Sequence, residues 1–320
     1  MAVQDYERLL AQDPTALSVR TEYIQELYQT GRFADCLEQI QIAFSYDERV
    51  GDAPLLRQLQ ALEKHLLSKQ LRSFVGSIAK LVHPQQAPVI EKGRVVEMVI
   101  KYDGASFDTL QRGLQSKFLE QLELLSVVCE AAPEHVMAAL GDASLPSLID
   151  LNVWVRAPLP SASLQAFAHS ALATKLESFY LRADVLSDEH VMALMSGQAR
   201  FFELRLRSTD RSRLTAQSAK LIVESQQARA LQTLGIMGSS IGDEGTMLLS
   251  TSKTLCGIRR LELFDGVIRN QGARMLASNL LPRLEFLDLR FNEIDDAGLH
   301  ELRHMDLEVH TDGQFQRPPH

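Results

Sequence analysis

"LEFLDLRFNEIDDAG", residues 284–298, sets Leu284, Leu287, Leu289, Asn292, Ile294 and Gly298 on the frame LxxLxLxxNxIxxxG. Leu287 and Leu289, two apart, suit one face of a short strand, because side chains alternate along extended backbone. The frame recurs upstream as "IRRLELFDGVIRNQG" from Ile258, "LQTLGIMGSSIGDEG" from Leu231, "FFELRLRST" from Phe201 and "LESFYLRADVLSDEH" from Leu176. Looser copies start at Leu148 ("LIDLNVWVR"), Leu122 ("LELLSVVCE") and Val95 ("VVEMVIKYD"). Each step is about 25 to 30 residues, the size of one repeated supersecondary unit. After the glycine position apolar residues continue at helical spacing, as in Gly245 and Leu249, or Gly272, Leu276 and Leu280. A strand, a turn and one helix cannot bury their apolar face alone, so neighbouring copies must stack and share a core.

Over residues 95–309 this pattern resembles the leucine-rich repeat family, in particular its ribonuclease-inhibitor-like class with an α-helix in every repeat. The resemblance implies an α/β solenoid of about eight repeats, a horseshoe with a parallel concave sheet and outer helices. In the family an asparagine bonds the turn backbone where Asn292 stands. The earlier copies carry Gly266, Ser239, Thr209, Asp184, Arg156, Glu130 and Asp103 there. Pro158 and Pro160 interrupt one turn, and extra residues precede Leu214, so loops are expected to bulge from one rim.

Residues 1–68 follow another rule. "DPTALSVRTEYIQELYQTGRFADCLEQIQIAFSYDE" reads as helix, turn at Gly31 and helix, with Leu17, Ile24, Leu27, Phe33, Leu37, Ile40 and Phe44 as the seam. It resembles a tetratricopeptide repeat at Gly31, Phe33 and Ala43, and departs from it at Cys36 and Arg20. "APLLRQLQALEKHLL" predicts a further helix. The stripe Leu71, Phe74, Val75, Ile78 and Val82 predicts a helix capping the first solenoid strand, within a 69–94 cap and linker. Residues 310–320 are expected to be a flexible tail.

Composition narrows the function. A net charge of −8 argues against general binding to nucleic acid or anionic lipid. No stretch has the length to span a bilayer, and "MAVQDYERLL" lacks the basic start of a secretory signal, so a cytoplasmic location is expected. Cys36, Cys129 and Cys256 are too far apart for a paired zinc motif and are expected to be reduced thiols. No cofactor is implied: the glycines of "GIMGSSIGDEGT" (235–246) lack the lysine of a phosphate loop and fit the repeat frame.

One motif points to catalysis. "HELRHMDLEVH", residues 300–310, has the ligand order of a zinc metalloprotease, with His300, His304 and His310 as ligands and Glu301 as base. Against that reading, Leu307 stands where a metzincin needs glycine, and the upstream residues are committed to repeats. The expected alternative is a helix end followed by a short closing strand, "MDLEV".

What remains is surface. Residues between the inward leucines face the open side of the sheet: Val99, Lys101, Ser126, Val128, Asn152, Trp154, Tyr180, Arg182, Arg205, Arg207, Met237, Glu262, Phe264, Phe286, Asp288, Arg290 and Phe291. Aromatic rings among arginines are the composition of protein interfaces. Trp154, Tyr180, Arg182, Arg205, Arg207, Met237, Phe264, Phe286 and Arg290 are therefore the expected contact residues of a non-enzymatic scaffold, whose partner is a protein acidic at the contact. Regulation of a GTPase or a nuclease is the alternative that the repeat class suggests by analogy.

Overall fold

The first helices are set by their apolar seams. In the computed structural model, which describes residues 3–44, 46, 53–91, 94–210, 213–279 and 281–314, they are α1 (Val3–Gln12), α2 (Leu17–Gln29), α3 (Phe33–Phe44), α4 (Ala53–Lys69) and α5 (Leu71–Val75). Leu280 and residues 315–320 of the expected tail lie outside the described residues. Leu17, Ile24, Leu27, Leu37 and Ile40 are buried, while Phe33 and Phe44 are half-buried. Gly31 makes the α2–α3 turn with φ +71°, a left-handed conformation that glycine adopts without a Cβ penalty. Arg20, where the tetratricopeptide pattern has an aromatic ring, is only 5% exposed. Its guanidinium donates to the Pro14 carbonyl at 2.7 Å and to Gln39, so the buried charge is hydrogen-bonded.

Ten strands follow along the chain, the third being β3 (Leu124–Cys129). The chain divides into two compact units, one of residues 1–100, 108–125 and 144–147, the other of 101–107, 126–143 and 148–320. In the first, β1 (Val89–Glu91) pairs antiparallel with β2 (Arg94–Tyr102), and the Gln41 side chain donates to the Ile90 carbonyl. The apolar spacing predicts only a helix and linker before β2, because three residues of strand are too short to show a period. Helix α6 (Phe107–Leu114) carries Gly113, where a Cβ would lie 2.8 Å from that of Ile78.

The second unit is built from parallel repeats. Strands β4 (Asp150–Val155), β5 (Ser178–Ala183), β6 (Glu203–Ser208), β7 (Thr233–Met237), β8 (Arg260–Glu262), β9 (Phe286–Asp288) and β10 (Glu308–His310) are each joined to the next in parallel register. The register aligns one inward row, Leu151, Phe179, Leu204, Leu234, Leu261 and Leu287, each at most 1% exposed. Helices α7 (Pro133–Gly141), α8 (Ser161–Ala168), α9 (Asp188–Met195), α10 (Ala216–Glu224), α11 (Gly242–Ser250), α12 (Asn270–Ser278) and α13 (Asp296–Leu302) stack on one another in order. This is an open α/β solenoid of leucine-rich repeats, preceded by helices. Its last strand pairs beside β9 as the closing strand expected from "MDLEV", shifted to Glu308–His310.

The frame glycines stand where the packing leaves no room for a side chain. A Cβ at Gly238, whose φ is +62°, would lie 1.8 Å from the Ser208 carbonyl oxygen. Gly245, Gly272 and Gly298 fall inside the first turns of α11, α12 and α13, where a Cβ would lie within 2.8 Å of neighbouring atoms. Close helix packing therefore excludes a side chain there.

Candidate partner-binding face

Leucines fill one side of each parallel strand, so the intervening residues share the helix-free side, and the register fixes which of them meet. Across β4 to β7 one row reads Trp154, Arg182, Arg207, Met237. The next reads Asn152, Tyr180, Arg205, Gly235, Glu262, Asp288, His310. Trp154, Tyr180, Arg182, Arg205, Arg207, Met237, Phe264 and Arg290 are all half-buried on this face. Phe286 shares it but is only 9% exposed, beneath the Arg260 guanidinium at 3.7 Å and the edge of His310 at 4.9 Å. It presents less ring than its place in the sequence pattern implied.

Trp154 lies between two cations, with the guanidinium carbons of Arg156 and Arg182 each 4.3 Å from a ring centroid. Phe264 receives Arg207 at 5.6 Å and Arg290 at 5.8 Å, and meets Phe291 edge-on at 5.0 Å. A recess of about 210 Å³ opens between Arg207, Met237, Phe264, Phe286 and Arg290.

Most of the positive charge is engaged within the chain. Glu130 holds Lys101 at 3.0 Å and Arg156 at 3.5 Å, and Asp288 holds Arg290 at 2.6 Å. Arg205 donates Nε to Glu262 at 2.9 Å and a terminal nitrogen to Glu203 at 2.7 Å. Glu262 belongs to a strand two removed from that of Arg205, and the reach is open because Gly235 lies between them. A Cβ on Gly235 would come within 3.2 Å of both side chains. Burial alone would lower the Arg205 pKa, but the hydrogen bonds and charge of Glu262 and Glu203 raise it instead. Arg156 and Arg260 were not among the expected contact residues. Both fall on the outward parity of their repeats, two residues from Trp154 and from Glu262, and their guanidinium groups stack on Trp154 and Phe286.

The histidines separate. His300 and His304 meet edge to face at 5.1 Å at the exposed end of α13, whereas His310 lies in β10 with Nε2 2.8 Å from Glu308. Among the described residues no group of three histidine, cysteine or carboxylate side chains is placed to hold a metal ion. No helix among them is long and apolar enough to cross a membrane.

A leucine-rich repeat family model matches residues 282–302, which span the stretch that carries the clearest frame. No curated protein matches the chain. Among solved structures it is similar to a Bacteroides fragilis protein, at 13% identity and a TM-score of 0.47, covering 82% of this chain and 85% of that one. An internalin from Listeria monocytogenes is similar at 17% identity and a TM-score of 0.37, covering 65% of this chain and 58% of the internalin.

Proposed function

We propose that the chain is a non-enzymatic protein-binding scaffold that takes its partner on the helix-free face of β4 to β8. The carrying observation is the cross-strand row Trp154, Arg182, Arg207, Met237, continued by Phe264, in which rings and guanidinium groups stack on one another. Stacking holds these side chains in place before a partner arrives, and ordered rings with forked donors contribute most to interfaces because little rotamer entropy is left to lose. In the same reading residues 1–68 are a tetratricopeptide-like module, 69–94 a cap and linker, and the location is cytoplasmic. Cys36, Cys129 and Cys256 are all free thiols, which fits a reducing compartment.

Trp154→Ala tests the reading. It should weaken binding of the partner captured by the wild-type chain by roughly 2 kcal/mol or more, with the thermal midpoint nearly unchanged. Retention of the full partner set by this variant would count against the face, and loss through changes confined to α2 or α3 would move the site to the helical module.

A further inference from the structure

The arginines of this face divide into two kinds. Arg156, Arg205, Arg260 and Arg290 each have a carboxylate of this chain within 3.8 Å. Among the described residues Arg182 and Arg207 have no ion pair and no hydrogen-bond acceptor, only the rings of Trp154 and Phe264. The Nε of Arg182 is shielded from solvent and unsatisfied. The two are register partners on β5 and β6, so their backbones run about 5 Å apart. Like charges directly opposite on neighbouring strands repel, and a shielded donor without an acceptor carries a desolvation penalty. In a chain of net charge −8 such a pair is a local exception to the self-neutralised surface around it.

We infer that Arg182 and Arg207 bind a phosphate monoester carried on a side chain of the protein partner. This rests on the scaffold reading of the same face. A carboxylate brings one charge and two oxygens, which a single guanidinium fork satisfies. A phosphate monoester brings nearly two charges and three terminal oxygens, so it engages both guanidinium groups through their terminal nitrogens. The flanks are apolar, Trp154 beside Arg182 and Met237 beside Arg207, and they suit the neighbouring side chains of a peptide better than a free ion.

Trp154 is the only tryptophan in the chain and stacks on Arg182, so its emission reports the site. The full chain is titrated with N-acetyl-phosphoserine methylamide and, separately, with N-acetyl-aspartate methylamide. The phosphoserine probe should give a saturable change, weakened about tenfold or more in Arg182→Gln and in Arg207→Gln and unaltered in Lys220→Gln on α10. Equal affinity for the aspartate probe, or wild-type affinity in both arginine variants, overturns the inference. A second arm treats the lysate with phosphatase before capture of the partner. Lost capture supports a protein-borne phosphate. Capture that survives phosphatase yet is lost in Trp154→Ala overturns the phosphate inference and leaves the scaffold reading standing; capture indifferent to Trp154→Ala overturns both.

Discussion

Asn292 shows how much a single residue of the frame does. Fully buried, it accepts from the backbone N–H groups of Gly266 at 2.9 Å and Ile268 at 3.0 Å, and donates to the carbonyls of Leu263 at 2.8 Å and Leu289 at 2.9 Å. The amide thus satisfies the turn of the preceding repeat as well as its own, where no secondary-structure ladder reaches. Asn292→Ala should cost roughly 3 kcal/mol or more in chemical denaturation, because several buried backbone groups lose their partner at once. A loss under about 1 kcal/mol would mean that the turn finds other partners. This role was legible, since the asparagine stands at a fixed offset from the leucines. The engagement of Arg205 was not: its acceptor Glu262 is 57 residues away, and its reach depends on a missing side chain at Gly235. Sequence pattern places a residue on a face but does not say which charges there already have partners.

Among elements, the starts of α10, α12 and α13 each receive a side-chain acceptor from the preceding helix. Asp243 in the first turn of α11 accepts from the backbone N–H groups of Arg269 and Gly272, both at 2.8 Å, at the start of α12. Asn270 in the first turn of α12 accepts from Asp295 N–H at 3.0 Å before α13, and Asp188 of α9 takes Thr215 N–H at 2.9 Å before α10. Each side chain satisfies orphan donors of the next helix, so capping here couples neighbouring repeats. Asp243→Ala should lower stability by about 1 kcal/mol, whereas Asp243→Asn, which keeps the acceptor oxygen, should lose less. Urea denaturation of the two variants decides; equal midpoints for Ala and wild type would show the cap to be idle. The helices themselves were legible from apolar spacing, and Gly245, Gly272 and Gly298 marked their beginnings. Their start two or three residues before those glycines was not, because at α12 and α13 an acceptor for the first turn, Asp243 or Asn270, lies a whole repeat earlier. Strand β1 was hidden for a different reason: its antiparallel partner β2 supplies the order that its three residues lack.

At the scale of the whole molecule, period decided the fold. A frame repeated about every 25 to 30 residues leaves little choice but stacking, and the alternation within each strand then assigns a leucine side and an open side. The weaker copies at Leu122 and Leu148 form strands as regular as the rest, although Glu130 and Arg156 replace the turn asparagine there. Those two residues pair with each other at 3.5 Å instead. The "HELRHMDLEVH" histidines match a ligand order in sequence, but His300 of α13 meets His304 just past the helix end while β10 carries His310 to the sheet. The central claim is that a partner occupies the helix-free face, and site-specific photocrosslinking tests it most directly. A photoreactive residue replacing Tyr180 should crosslink the captured partner, while one replacing Lys220 on the exposed surface of α10 should not. Crosslinking from position 220 with none from position 180 would contradict the account.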